Sequence, residues 1–121
     1  MKEIWKSIPG YEGWYSASTF GRIRRDCEGS RTWTGRILNP MENDWGYHKV
    51  FLYKNGIHKN LRVHRLIALT FIDNPLDKKQ VNHKDLNKKN NNIENLEYVT
   101  GQENINHAVK NGVSFVNKIY R

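Results

Sequence analysis

The segment Val81 to His107, VNHKDLNKKNNNIENLEYVTGQENINH, sets the fold expected of the whole chain. A short apolar approach ends at Asn82-His83, a polar loop rich in Asn and Lys returns through Asn95, and LEYVT reads as a second strand. A helix follows at once. Thr100 is placed to accept a hydrogen bond from the backbone N–H three residues on, while Glu103 reaches back to the N-cap N–H; this capping-box pattern puts Asn104 in the first turn. Two short strands and a helix that gather a His and several amide oxygens form a seat for a divalent cation beside a base able to activate water.

Working outward, the 121 residues suit one domain, or two very small modules sharing a core. Twenty Lys and Arg against twelve Asp and Glu give a net charge of +8, which points to a polyanionic partner. The excess is spread along the chain, with ten basic and six acidic residues on either side of residue 60. Cys27 is the only cysteine, so neither a disulfide framework nor a Cys-based zinc site is expected. The start MKEIWKSIPGYEG lacks an apolar signal core, and no run approaches the ~20 apolar residues of a spanning helix. These features predict a soluble cytoplasmic protein with no membrane partner.

From residue 1 to 25, aromatic and apolar residues (Trp5, Ile8, Tyr11, Trp14, Tyr15, Phe20, Ile23) alternate with polar ones and are punctuated by Gly10, Gly13 and Gly21. Short antiparallel strands joined by tight turns are expected, with these aromatics in the core of a small sheet. Arg22, Arg24, Arg25, Arg31 and Arg36 follow, interrupted by a turn at Cys27 to Ser30. Arg22 and Arg24 project from one face of a strand, a spacing suited to following phosphates. In residues 45–63, Val50 and Leu52 alternate with Lys49, Phe51 and Tyr53, and Asn55-Gly56 supplies a hairpin turn. His48 and His58 on this hairpin are read as surface or phosphate-contacting residues. The window VHRLIALTFI, residues 63–72, is read as a helix stopped by Asp73-Asn74-Pro75, with Leu66, Ile67, Leu69 and Phe71 packed over the final unit. His64 is read as a hydrogen-bonded structural residue at its start. Asn111-Gly112 supplies a C-cap, and Val113 to Arg121 forms a short tail.

The final unit resembles the motif of the HNH endonucleases, in the homing type of phages and introns. Asn82-His83, Asp85-Leu86-Asn87-Lys88, Asn90-Asn91, Asn95-Leu96, Tyr98-Val99-Thr100 and Asn104 fall at the motif's spacing. Asn82 stands where many relatives have a metal-binding Asp, and Leu86 replaces the usual turn Gly. EIWKSIPGYEGWYSASTFGRIRR is similar to the β-rich module that often precedes this motif, and VHRLIALTF to the helix between the two.

The resemblance implies an α+β fold: a small antiparallel β-rich DNA-contacting module over 1–60, a helix and ββα-metal nuclease motif over 61–112, and the tail 113–121. It implies a metal-dependent endonuclease that nicks or cuts double-stranded DNA as a monomer or homodimer. His83 is the expected catalytic base, oriented by Asp85 or by a backbone carbonyl. Asn82 and Asn104 are the expected ligands of one Mg²⁺ or Mn²⁺, with His107 as a further ligand, a phosphate contact or a plain surface residue. Asn95 is expected to brace the loop, and Asn90 and Asn91 to serve its turns. Lys84, Lys88 and Lys89 are expected to face DNA together with the five arginines. Homing relatives often carry a further helix-turn-helix after the motif, and this sequence stops before one fits, which implies a shorter target site. Two alternatives stay open: a DNA-binding protein that has lost efficient cleavage, for which Asn82 argues, and a structure-specific nuclease of packaging or recombination.

Overall fold

Val63 to Phe71 forms α1, the helix against which every sheet packs. It buries Val63, His64, Leu66, Ile67, Ala68 and Thr70, spaced for one apolar face at 3.6 residues per turn. Leu69 lies off that face and is 51% exposed, so it does not join the packing expected of it. The computed structural model describes residues 2–112. The expected tail, 113–121, therefore lies outside the described residues.

Among the described residues, three small antiparallel sheets surround the helix. The first is built from β1 (Trp5–Ser7), β2 (Tyr15–Ser18) and β3 (Ile23–Arg25), with β2 in the middle. The second comprises β4 (Met41–Glu42), β5 (His48–Lys54) and β6 (Ile57–Arg62), again in sequence order. The β5–β6 hairpin turns at Asn55 and Gly56, both at positive φ (52° and 77°), the mirror-image turn whose twist matches that of the flanking strands. Val50 and Leu52 point into the core, while Tyr53 is exposed on the opposite face. The third sheet is the two-stranded β7 (Gln80–His83) and β8 (Leu96–Val99), followed by α2 (Gly101–Lys110).

The core runs without a break across residue 60. Ile8, Tyr15, Ala17 and Ile23 from the first sheet join Val50 and Leu52 from the second and Val81 and Leu96 from the third, all around α1. Tyr15 is nearly inaccessible, as the sequence pattern predicts, whereas Trp5 and Trp14 are half-buried and Phe20 is exposed. Arg22 and Arg24 lie over the Trp5 ring, at 5.5 and 4.5 Å from the centroid, and supply part of its cover.

α2 is held differently. None of its residues is fully buried, and its N-terminus is fixed by the capping box: Glu103 N–H donates to Thr100 Oγ1 (3.1 Å) and Thr100 N–H to Glu103 Oε1 (2.9 Å). Polar ties attach it to β7 and the neighbouring loops: Asn104 Nδ2 to Gln80 Oε1 at 2.8 Å, His107 Nε2 to the Lys84 carbonyl at 2.9 Å, and Lys78 with Glu103 at 3.0 Å. Asn111 and Gly112 (φ 83°) close its C-terminus.

Candidate active site

The cross-strand register sets the geometry at the open end of the third sheet. Asn82 pairs with Glu97 and His83 with Leu96, so the two neighbours in the Asn82-His83 dipeptide project to opposite faces. His83 turns toward α1 and is 5% exposed. Its Nε2 lies 2.8 Å from Asn91 Oδ1. An amide oxygen only accepts, so Nε2 carries the proton and donates, and Nδ1 keeps its lone pair. The orienting group is thus the side chain of Asn91, where the sequence left a choice between Asp85 and a backbone carbonyl. Asp85 is engaged inside the loop instead, accepting from Asn87 N–H, Asn90 Nδ2 and Asn95 Nδ2.

Asn95 ties that loop at several points. Its Nδ2 donates to Asp85 Oδ1 (2.8 Å) and to the Asn90 carbonyl (2.9 Å), its Oδ1 accepts from Asp85 N–H (3.0 Å), and its own carbonyl accepts from Lys84 N–H (2.8 Å). Leu86, at the position of the expected glycine, adopts φ 65°. A branched side chain in the left-handed region costs about 1–2 kcal/mol, which this bonded loop offsets.

Two rings that sequence reasoning did not connect to His83 lie against it. The His64 ring centroid is 4.8 Å from that of His83, and Tyr47 stacks on His64 at 5.0 Å with an interplanar angle of 17°. Arg62 and Lys88 in turn lie over Tyr47, at 5.0 and 4.9 Å. His64 is 4% exposed, and it belongs to the wall of this site. No spacing rule would have joined residues 47, 64 and 83; α1 does so by directing its first turn at the end of β7.

Burial governs both imidazoles. It lowers the pKa of His64 to about 3, with the neighbouring His83 as the next cause. Burial also lowers the pKa of His83, opposed by the hydrogen bond to Asn91 and the charge of Asp85. Both are therefore neutral in the folded protein at pH 7. An unfolded His titrates near 6.5, so the unfolded chain takes up protons first. Stability is complete above about pH 6.5 and falls as the pH is lowered toward 3. Urea unfolding should accordingly show a lower midpoint at pH 5 than at pH 7.5. His64→Phe, which keeps a ring and cannot take a proton, should flatten that limb.

On the other face, Gln80 and Asn82 project together from β7, Glu97 stands opposite Asn82, and Asn104 reaches Gln80 from α2. The amide nitrogens are spoken for: Asn82 Nδ2 donates to Glu97 Oε2 at 2.9 Å and Asn104 Nδ2 to Gln80. The carbonyl oxygens of Asn82 and Asn104 are left as acceptors. Oxygen donors fit a hard divalent cation such as Mg²⁺ or Mn²⁺. Among the described residues, no three His, Cys, Asp or Glu side chains converge, and the oxygen donors on this face are mainly amide oxygens. His107 has its Nε2 committed to the Lys84 carbonyl and ties α2 to the segment that follows His83.

Comparison with known proteins places this geometry. Residues 61–105 match the family described as HNH endonuclease, and residues 3–53 match the NUMOD4 motif. The solved structure titled "DNA binding and cleavage by the HNH homing endonuclease I-HmuI" superposes with a TM-score of 0.78 at 36% identity, covering 90% of this chain and 59% of that one. The chain belongs to the HNH endonuclease family. The DNA endonuclease I-HmuI of a Bacillus phage is 36% identical over 114 residues, covering 94% of this chain and 62% of the relative. An uncharacterized HNH endonuclease of Acanthamoeba polyphaga mimivirus is 41% identical, covering 96% of this chain and 28% of that protein. A putative HNH homing endonuclease of Bacillus subtilis is 49% identical, covering 75% and 60%. The chain thus spans between about a quarter and three-fifths of the length of these relatives.

The basic residues of this HNH chain fall into separate settings. Arg22 is paired with Glu3, and Arg24 with Asp26 at 3.0 Å, so both are partly neutralised where they flank Trp5. Arg25 donates to the Tyr15 hydroxyl and to the Cys27 and Glu28 carbonyls. Together with Arg31, Arg36, Phe51 and Tyr53, Arg25 and Tyr15 line a groove of about 450 Å³ between the first two sheets. Lys88 Nζ donates to the Trp45 carbonyl, Lys89 pairs with Glu42 at 2.6 Å, and Lys84 is exposed. Among the described residues, no helix is long and apolar enough to cross a membrane.

Proposed function

We propose that this protein is a metal-dependent DNA endonuclease of the homing type, hydrolysing a phosphodiester bond in double-stranded DNA. The observation that carries this reading is the hydrogen bond from His83 Nε2 to Asn91 Oδ1, which fixes the tautomer in which Nδ1 is a base. His83 then takes the proton of the attacking water at Nδ1, and burial favours the unprotonated ring that this role needs. Asn82 and Asn104 would hold one Mg²⁺ or Mn²⁺ through their amide oxygens, and the bound cation would offset charge on the scissile phosphate and the departing 3′ oxygen. Asn95 keeps the loop closed around Asp85, and His107 keeps α2 against the strand that carries Asn82. The arginines of the groove, with Lys84, Lys88 and Lys89, supply the counter-charge for the DNA backbone. The relatives' names, DNA endonuclease and homing endonuclease, agree with this reading.

Asn82, an amide where a carboxylate binds cations more strongly, favours a second reading: a DNA-binding protein that keeps the fold without efficient cleavage. Incubating the purified protein with supercoiled plasmid in Mg²⁺, Mn²⁺ or EDTA separates the two. Nicking or linearisation that requires the cation and is abolished by EDTA is the expected result. Salt-sensitive DNA binding with no cleavage in either cation would establish the second reading.

A further inference from the structure

We propose that Glu97 is the carboxylate of the cation site, supplying from the neighbouring strand the negative charge that Asn82 lacks. This rests on the cation site proposed above. Among the described residues, three carboxylate side chains are half-buried: Glu3, Asp26 and Glu97. Glu3 is paired with Arg22, and Asp26 with Arg24. Among the described residues Glu97 has no cationic partner, although the chain carries a net charge of +8; its hydrogen bond is with the neutral Asn82. A partly desolvated carboxylate left against an amide is costly unless a positive charge completes it.

Its position is the one a ligand requires. The β7–β8 register places Glu97 directly opposite Asn82, and Gln80 and Asn82 share that face, to which Asn104 is tied through Gln80. Asn82 Nδ2 donates to Glu97 Oε2, which leaves the Asn82 carbonyl oxygen as an acceptor beside the carboxylate. Glu97 Oε1, meanwhile, takes no hydrogen bond among the described residues. Two amide oxygens and one carboxylate oxygen form a set suited to Mg²⁺ or Mn²⁺, which favour oxygen donors with at least one anion. Without the cation, Glu97 would repel an approaching phosphate, so its charge is useful at this face only when a divalent ion stands between the two.

The test measures Mn²⁺ binding itself, by the loss of the free-ion signal in electron paramagnetic resonance. The protein is titrated alone and with duplex DNA, beside thermal melts of each variant. Glu97→Gln keeps the shape and can still accept from Asn82. It should weaken Mn²⁺ binding at least tenfold and strengthen metal-free DNA binding, because the repulsion between the carboxylate and the phosphate is gone. The double variant Asn82→Asp with Glu97→Gln moves the carboxylate across the strand pair and should restore binding to within about threefold of wild type. A purely structural role for Glu97 would not give that rescue. Unchanged Mn²⁺ affinity in Glu97→Gln, with binding lost in Asn104→Ala, would overturn the role of Glu97 and leave the cation site standing. Failure of the wild type to bind Mn²⁺, even with DNA, would overturn both.

Discussion

Replacing His83 by alanine is expected to slow DNA cleavage by about 10²–10⁴-fold, the range associated with loss of a positioned general base. DNA affinity should change little. His83 is buried against His64 and Tyr47 and donates inward to Asn91, so it contributes almost nothing to the surface that meets the phosphate backbone. The substitution also removes a packed ring and leaves Asn91 Oδ1 without its donor, which together cost about 1–3 kcal/mol of stability. Cleavage should therefore be compared at a temperature where melting curves show both proteins folded. The wild-type pH profile supplies an independent check. Because burial lowers the pKa of His83, the acid limb of the rate profile should fall below the pH near 6.5 at which an exposed imidazole protonates. If cleavage survives in His83→Ala with an unchanged acid limb, another group accepts the proton. A drop in DNA affinity equal to the drop in rate would instead mean that the ring serves binding.

Local signals were enough to read most of the architecture from the sequence. The alternation through residues 48–54, the Asn55-Gly56 turn and the Thr100/Glu103 capping box are each determined within a few residues, and each stands where the pattern puts it. α1 was legible from its apolar content, but the exposure of Leu69 was not, because a nine-residue helix surrounded by three sheets still leaves one stripe uncovered. At the site, the motif spacing singled out Asn82, His83, Asn95 and Asn104 as candidates, and their partners stayed hidden. Asn91 lies eight residues from His83, Glu97 fifteen from Asn82 and His64 nineteen from His83, and only the closed loop, the β7–β8 register and the packing of α1 bring them together. The polar ties of α2 were hidden for the same reason: Asn104 with Gln80 and His107 with the Lys84 carbonyl are contacts between elements, with no sequence period to mark them.

The second large effect is expected far from the motif, at Gly21. Its φ of 86° lies in the left-handed region, and a Cβ added there would stand 2.6 Å from the Asn91 carbonyl oxygen and 2.7 Å from its carbon. Backbone atoms cannot rotate away as a side-chain tip can. Gly21 therefore marks where the turn between β2 and β3 is pressed against the loop that orients His83, a contact sealed by Ile93 N–H donating to the Thr19 carbonyl at 3.0 Å. Gly21→Ala should cost about 1–2 kcal/mol for the backbone conformation and about 1–3 kcal/mol for the overpacked contact. That is a large fraction of the ~5–15 kcal/mol that holds a domain of this size together. Gly10 is the control, since it shares the φ of 86° and a Cβ there meets nothing within 4 Å. Gly10→Ala should lose only the conformational part in urea denaturation and keep full cleavage. Gly21→Ala should lose more stability and also cleave about tenfold or more slowly at a temperature where it remains folded, because displacing Asn91 tilts the imidazole it holds. Equal losses in the two variants, with cleavage intact in both, would mean that the Asn91 loop yields freely and that the first sheet has no part in aiming the base.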